Sequence, residues 1–306
     1  MLKEGDEAAM LRVGVIGAGS MGARHARVVA AHPDAELTVV VDRSAKRAAC
    51  AARQQSWSTD ISSLRRCDAA IIATPTSTHL DIATWLLERG IPVLIEKPAA
   101  ATMDGVDILL DLAATQAVPL LCGFTERHNA AWLAGLAELT GNPVRLSSTR
   151  RSPPVARAEG HVAIDLMIHD IDLAVTLFGC DPRPWAHDSA AHLDPSTAEL
   201  VIAWPDGARA SCVASRAAHS AERTVVVETP HERVVIDLLY GCVVVERNGR
   251  RTPVDVLTGN EPLAAQFDQF LALVAGRSDM DFERKVIRVV HDLAFQPALL
   301  SDGVPS

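Results

Sequence analysis

Tyrosine occurs once in this chain of 306 residues, as Tyr240, and the residue four places later is Val244. A Tyr-x-x-x-Lys catalytic pair is therefore excluded. Lysine is nearly as scarce: Lys3, Lys46, Lys97 and Lys285 are the only four among 29 basic residues, so any lysine chemistry must come from them. Apolar runs stay well short of the ~18 residues that cross a bilayer. The amino-terminal MLKEGDEAAM is polar and acidic, without the apolar core of a secretory signal. The six cysteines, Cys50, Cys67, Cys122, Cys180, Cys212 and Cys242, form no C-x-x-C pair. Zinc-ribbon and thioredoxin-type centres are thus not expected, nor any other metal site, and the thiols read as reduced and cytoplasmic. A net charge of −9 without long basic runs argues against nucleic acid or a membrane surface as partner.

What is present is enough chain for roughly two domains of about 150 residues each. The first 122 residues alternate short apolar runs with helical segments, the signature of a parallel βαβ sheet. Strands are predicted at 11–16, 37–41, 69–73, 92–95 and 119–123, with helices over about 21–31, 79–89 and 103–114. The pattern then changes. Residues 130–140 and 162–178 read as helices, 144–149 as a strand, and 150–159 (RRSPPVARAE) as a basic, proline-containing loop. From 198 to 247, runs such as ARASCVAS, RTVVVE, ERVVID and CVVVE suggest an antiparallel sheet, with closing helices near 262–275 and 284–299. The expected fold is α/β: a Rossmann doubly wound parallel sheet over 1–122, then over 123–306 an α+β domain with an open, mainly antiparallel sheet.

Gly17-Ala18-Gly19-Ser20-Met21-Gly22 fits G-x-G-x-x-G directly after a strand and at the opening of a helix. The helix N-terminus offers unpaired N–H groups to a pyrophosphate. By itself such a turn can be purely structural. Here Asp42 follows 20 positions after Gly22, at the end of the second strand, where a carboxylate takes the ribose hydroxyls. Asp42 would repel the 2′-phosphate of NADP whereas Arg43 would attract it, and the carboxylate favours NAD.

Glu96-Lys97-Pro98 lies at the carboxyl end of another strand, the edge on which doubly wound sheets bind ligands. A lysine there reaches a substrate hydroxyl beside the nicotinamide; alternatively it is an ordinary surface lysine. In the segment DLMIHDID, Asp165, His169 and Asp172 fall within roughly 60° of one another on an α-helix that is otherwise apolar. A titratable stripe on a mostly buried helix is a candidate site, against the plainer reading of a solvent-facing stripe.

Together the stretches VGVIGAGSMGARHAR, ATPTSTHLDIA, GIPVLIEKP, FTERHNAA and DLMIHDIDLAVTLFG resemble the glucose–fructose oxidoreductase/inositol dehydrogenase (Gfo/Idh/MocA) family, in the family's order along nearly the whole chain. The resemblance implies a Rossmann domain and a second α/β domain whose sheet forms a homo-oligomer interface, as dimer or tetramer. It makes Lys97 the lysine of the E-K-P motif, beside Glu96, and Asp165 and His169 the D-x-x-x-H pair. It also places Thr74, Pro75, Thr76 and His79 in the loop lining the cofactor. Within the family the details are most similar to UDP-N-acetylglucosamine 3-dehydrogenases. The matching features are Glu126-Arg127-His128-Asn129, the segment from Arg150-Arg151 to Pro153-Pro154, and Glu261-Pro262-Leu263.

On that resemblance the expected reaction is NAD-dependent oxidation of the 3-hydroxyl of a UDP-amino sugar, feeding 3-amino sugars of the lipid A type. His169 is the principal base, Lys97 stabilises the alkoxide and Asp165 orients them, although Lys97 and His169 can exchange roles. Arg127, Asn129 and His161 join the substrate site. Arg150, Arg151 and Arg157 either grip the diphosphate, since a guanidinium fork matches phosphate, or form a solvated loop. The alternatives are a dehydrogenase of a free polyol such as an inositol, and a non-catalytic NAD-binding sensor.

Overall fold

A computed structural model of the protein describes residues 10–154, 160–182, 195–257, 259 and 261–302. The chain forms two compact units. The first runs through Gly123 and takes in Gln266–Arg284; the second comprises Phe124–Ala265 and the chain from Lys285 onward. The boundary expected between 122 and 123 thus lies one residue later, and the chain returns to the first unit near its end. The reason is packing: His32 lies edge-on against Phe267 at 5.3 Å between ring centres, and its Nε2 meets the Asp268 carboxylate at 2.8 Å.

In the first unit the βα alternation runs β1 (Leu11–Ile16), α1 (Ser20–Ala31), β2 (Ala35–Val41), α2 (Ala45–Ala52), β3 (Trp57–Ser58) and β4 (Ala69–Ile72). It continues with α3 (His79–Leu87), β5 (Val93–Ile95), α4 (Met103–Thr115) and β6 (Leu120–Cys122). All strand pairs are parallel, in the order β3-β2-β1-β4-β5-β6. Helices cover both faces of such a sheet, so its strands carry near-continuous apolar runs. Val13, Val15, Val39, Val40, Ile71, Leu94 and Ile95 are at most 1% exposed. The strand order reverses between β1 and β4, and the loops after their carboxyl ends open there.

The second unit contains α5 (Ala130–Ala137), β7 (Arg145–Arg151), a π-turn (Ala163–Met167), α6 (Ile168–Phe178), β8 (Thr197–Ala203) and β9 (Arg209–Ser215). It continues with β10 (Glu222–Glu228), β11 (Glu232–Asp237), β12 (Cys242–Arg247) and β13 (Arg250–Val254); of the last two helices, α7 (Pro262–Val274) belongs mostly to the first unit and α8 (Met280–Asp302) mostly to the second. Its seven-stranded sheet has the order β13-β12-β11-β10-β7-β9-β8. The sheet is mixed rather than purely antiparallel, because β7 and β9 run parallel side by side. Alternation sets its faces: Leu146, Ser148, Ala210, Cys212, Val225, Val227, Val234 and Ile236 are buried on the side that α5 and α6 cover. Among the described residues no helix is long and apolar enough to cross a membrane.

Candidate active site

The glycine loop in the first unit is shaped by close backbone contact. Gly17 has φ +91°, and a Cβ on it would lie 2.4 Å from the Ala73 carbonyl oxygen; a Cβ on Gly22 would lie 1.7 Å from that of Gly17. Both positions therefore admit no side chain. Gly19, which caps α1, faces open space instead, and no acidic residue or side-chain cap occupies the first turn of that helix. The first N–H groups of α1, at Ser20, Met21 and Gly22, have no intrahelical acceptors, so loop and helix end form an anion cradle. This donor set fits the pyrophosphate of a dinucleotide.

Asp42, just beyond β2, borders the cradle. Its Oδ2 accepts the Ala18 N–H at 2.8 Å, and its Oδ1 accepts the Ser44 N–H at 2.7 Å and Arg47 Nη2 at 2.8 Å. Partial burial pushes the carboxyl upward, but Arg47 and the two N–H donors outweigh it and hold Asp42 below its ordinary value. Arg47, in the first turn of α2, is thus its cationic neighbour; it and Arg43 are both exposed. Sequence reading missed Arg47 because nothing in the pattern tells which of three nearby basic residues pairs with the carboxylate.

The loops after β4 and β5 are joined by His79. The ring is buried, with Nε2 at 2.9 Å from the Thr74 carbonyl and Nδ1 at 2.9 Å from that of Pro98. Desolvation lowers its pKa, and the two carbonyls only partly offset this. A neutral imidazole donates once, so the ring donates to one carbonyl only. Thr78 Oγ1 closes the same loop, 2.8 Å from both Thr74 Oγ1 and the Pro75 carbonyl, with Thr76 opening the turn between them. Glu96 and Lys97 follow β5, both partly buried, and Glu96 Oε1 lies 2.7 Å from Nε2 of His25 on α1. His25, 1% exposed, is a site neighbour that the sequence reading quoted without assigning.

In the second unit the acid–histidine segment departs from the expected helix. Ala163–Met167 is a π-turn and α6 begins only at Ile168. Within the stripe anticipated for Asp165, His169 and Asp172 the burial is uneven: the first two are partly buried and the third fully so. Asp165 is 36% exposed at its side chain whereas Asp172 is 0% exposed, bound by Arg127 through both carboxylate oxygens, with Nε at 3.0 Å from Oδ2. Asp170 is also buried: Arg150 Nε and Nη2 reach it at 3.0 and 2.9 Å, and Nη1 reaches Glu126 at 2.9 Å. His169 is partly buried, directly before Asp170 and three residues before Asp172.

Arg150 is therefore corrected. It belongs to β7, not to a loop, and is 3% exposed. Burial disfavours its cation, yet the flanking carboxylates of Asp170 and Glu126 outweigh that and raise its pKa. Its Nε, Nη2 and Nη1 each donate to one of these two carboxylates, so the group is already paired inside the unit. Arg151 ends the same strand, 49% exposed, 3.1 Å from Glu222; Arg157 lies outside the described residues. Asn129 caps α5, its Oδ1 accepting the Ala131 N–H at 3.0 Å and its Nδ2 reaching Glu126 and the Leu238 carbonyl. His161, 7% exposed, accepts the Ala163 N–H on Nδ1 just before the π-turn.

A pyrophosphate cradle ending in a carboxylate, followed by a mixed-sheet unit bearing an acid–histidine helix, is the plan of a dinucleotide-dependent oxidoreductase. Residues 11–124 match the Gfo/Idh/MocA family model, described as an oxidoreductase family with an NAD-binding Rossmann fold. The UDP-N-acetylglucosamine 3-dehydrogenase of Acidithiobacillus ferrooxidans is 30% identical over 281 residues, 87% of this chain and 89% of the relative. The chain therefore belongs to the Gfo/Idh/MocA family of oxidoreductases. Myo-inositol dehydrogenase Hyg17 of Streptomyces leeuwenhoekii is 33% identical over 208 residues, 62% of this chain and 62% of that protein. The solved structure of the UDP-N-acetylglucosamine 3-dehydrogenase GnnA from A. ferrooxidans superposes with a TM-score of 0.85 at 28% identity, over 95% of this chain and 97% of that one.

Proposed function

We propose that the protein oxidises the 3-hydroxyl of UDP-N-acetylglucosamine, giving a UDP-3-keto sugar suited to amination, as in lipid A type 3-amino sugars. The observation that carries this reading is length: likeness to the UDP-N-acetylglucosamine 3-dehydrogenase spans 87% of the chain, and to the inositol dehydrogenase 62%. The pairing of Arg150 with Glu126 and Asp170 supports the second reading, a free polyol such as an inositol, because it ties one proposed phosphate ligand to two carboxylates.

The cradle of Gly17, Gly19 and Gly22 would hold the pyrophosphate, with Ser20 and Met21 supplying N–H groups, and Asp42 the ribose. Bound NAD supplies the hydride acceptor. His169 takes the proton from the alcohol, Lys97 donates a hydrogen bond to the developing alkoxide, and Asp165 orients the pair. A positioned base of this kind supplies typically 10²–10⁴-fold of rate. Assembly through the second sheet completes the proposal. The face opposite α5 and α6 carries one registered row across seven strands: Pro253, Val244, Val235, Val226, Ser147, Ser211 and Val201.

The test is a panel of UDP-N-acetylglucosamine, other UDP-sugars and free inositols, each with NAD and NADP, followed by absorbance of the reduced cofactor. Turnover should be highest with UDP-N-acetylglucosamine and NAD. Preference for a free polyol would refute the substrate, and equal use of NADP would refute the role of Asp42.

A further inference from the structure

Arg216 is the first residue after β9, 7% exposed, and its N–H continues the ladder to the Ser196 carbonyl at 2.8 Å. Its Nη2 donates to two backbone carbonyls, Pro195 at 2.8 Å and Gly160. Nη1 stands 3.6 Å from Oδ2 of Asp165. Among the described residues Asp165 is the only carboxylate paired with this buried cation. A desolvated guanidinium needs a counter-charge nearby, and at this separation the attraction is electrostatic rather than a hydrogen bond.

Arg216 is fixed by its own backbone bond and by two carbonyls. Asp165 rides on the π-turn, with its side chain 36% exposed. The arginine therefore offers the carboxylate a counter-charge whose place is set. π-turns inside helices recur at functional sites because the extra residue re-aims neighbouring side chains. Here the residue on the π-turn that stands beside Arg216 is Asp165.

We propose that Arg216 is a positioning residue for the reaction, holding the Asp165 carboxylate in the place from which it orients the proton-transfer groups. The proposal rests on the reading of Asp165 as part of the dehydrogenase machinery. No feature of the sequence near Arg216 suggests it, since it sits 51 positions beyond Asp165 in an ordinary strand end.

A double-mutant cycle tests it, with Arg216→Met, Asp165→Asn, the double variant and Arg216→Lys compared by steady-state kinetics on the best alcohol of the panel. Arg216→Met should lower kcat about 10- to 100-fold while KM for the alcohol and Kd for NAD stay within about threefold. Arg216→Lys should recover part of the loss. In the Asp165→Asn background, Arg216→Met should change kcat by less than about threefold, because residues acting through one another do not add. If Arg216→Met does not fold, the cycle is run with Arg216→Lys. Losses that multiply in the double variant, or an Arg216→Met enzyme retaining more than half its kcat, would overturn the proposal alone. A well-folded wild type that binds NAD but oxidises no alcohol of the panel would overturn the dehydrogenase reading and this proposal with it.

Discussion

In the first unit the candidate site residues stand on loops that leave the carboxyl ends of β1, β2, β4 and β5, and backbone atoms hold them. Gly17 and Gly22 touch carbonyls, Asp42 takes two N–H groups, and His79 spans two carbonyls. In the second unit the candidates ride on one π-turn and one helix, and buried arginines hold them: Arg150 at Asp170, Arg127 at Asp172 and Arg216 at Asp165. Backbone-held sites depend on where the chain must turn. Charge-held sites depend on long side chains meeting from distant strands, and they fail differently when one partner is removed.

The largest effects should come from the chemistry, to which both kinds of support contribute. Lys97→Ala and His169→Ala should each reduce turnover by roughly 10²–10⁴ with NAD affinity retained, as for a lost acid–base group. Their combination should fall well short of the product if both act on one oxygen. Steady-state kinetics with cofactor titration decides this, and a Lys97→Ala enzyme keeping half its turnover would remove the first unit's lysine from the mechanism.

Next comes the charge-held scaffold itself. Asp170→Asn leaves the nearly buried Arg150 with Glu126 alone, and breaking a buried pair costs about 3–5 kcal/mol. Urea denaturation measures it, and a loss below 1 kcal/mol would show that α6 is held by apolar packing instead.

Acid should weaken the second unit through His291. This ring is fully buried near Phe124 and Phe295, with Nδ1 2.6 Å from the Ile287 carbonyl, and desolvation lowers its pKa to about 4. The unfolded chain takes the proton near 6.5, before the folded protein does. The stability is therefore complete above pH 6.5 and is lost as pH falls toward 4, by on the order of 3 kcal/mol. Chemical denaturation at several pH values should show that slope, and His291→Leu should flatten it.

The smallest effect separates cradle from fold. Gly19→Ala meets no neighbouring atom, so stability should change by less than about 1 kcal/mol while NAD affinity falls about tenfold or more. Gly22→Ala, driven into the Gly17 carbonyl, should lose stability as well. Calorimetric titration and thermal unfolding of the two variants distinguish these outcomes. Equal NAD binding by Gly19→Ala and the wild type would mean that the open space over Gly19 is not where the pyrophosphate lies.

How much of this was legible follows from the same contrast. The motif G-x-G-x-x-G, the strand-end Asp42 and the strand-end Lys97 were readable because each is a local demand of a βα turn. The helix α2 was missed: AKRAACAA is short, carries no large apolar side chain and buries only Ala48 and Ala52. Arg150 was taken for part of a loop because Pro153 and Pro154 follow it. Yet Leu146, Ser148 and Arg150 alternate onto one face, a period of two that was the available signal. The π-turn at 163–167 was not readable in a segment whose apolar period is ordinary.

By itself, then, the sequence determined the βα alternation, the parallel Rossmann sheet and the glycine turn, since hydrophobic period and glycine geometry act over a few residues. Only the tertiary structure decided which arginines are spent on carboxylates, that β7 and β9 lie parallel, and that Asp165 stands beside Arg216. Those outcomes depend on burial and on partners 20 to 51 positions away, where the cost of an unpaired buried charge, not a local preference, selects the contact.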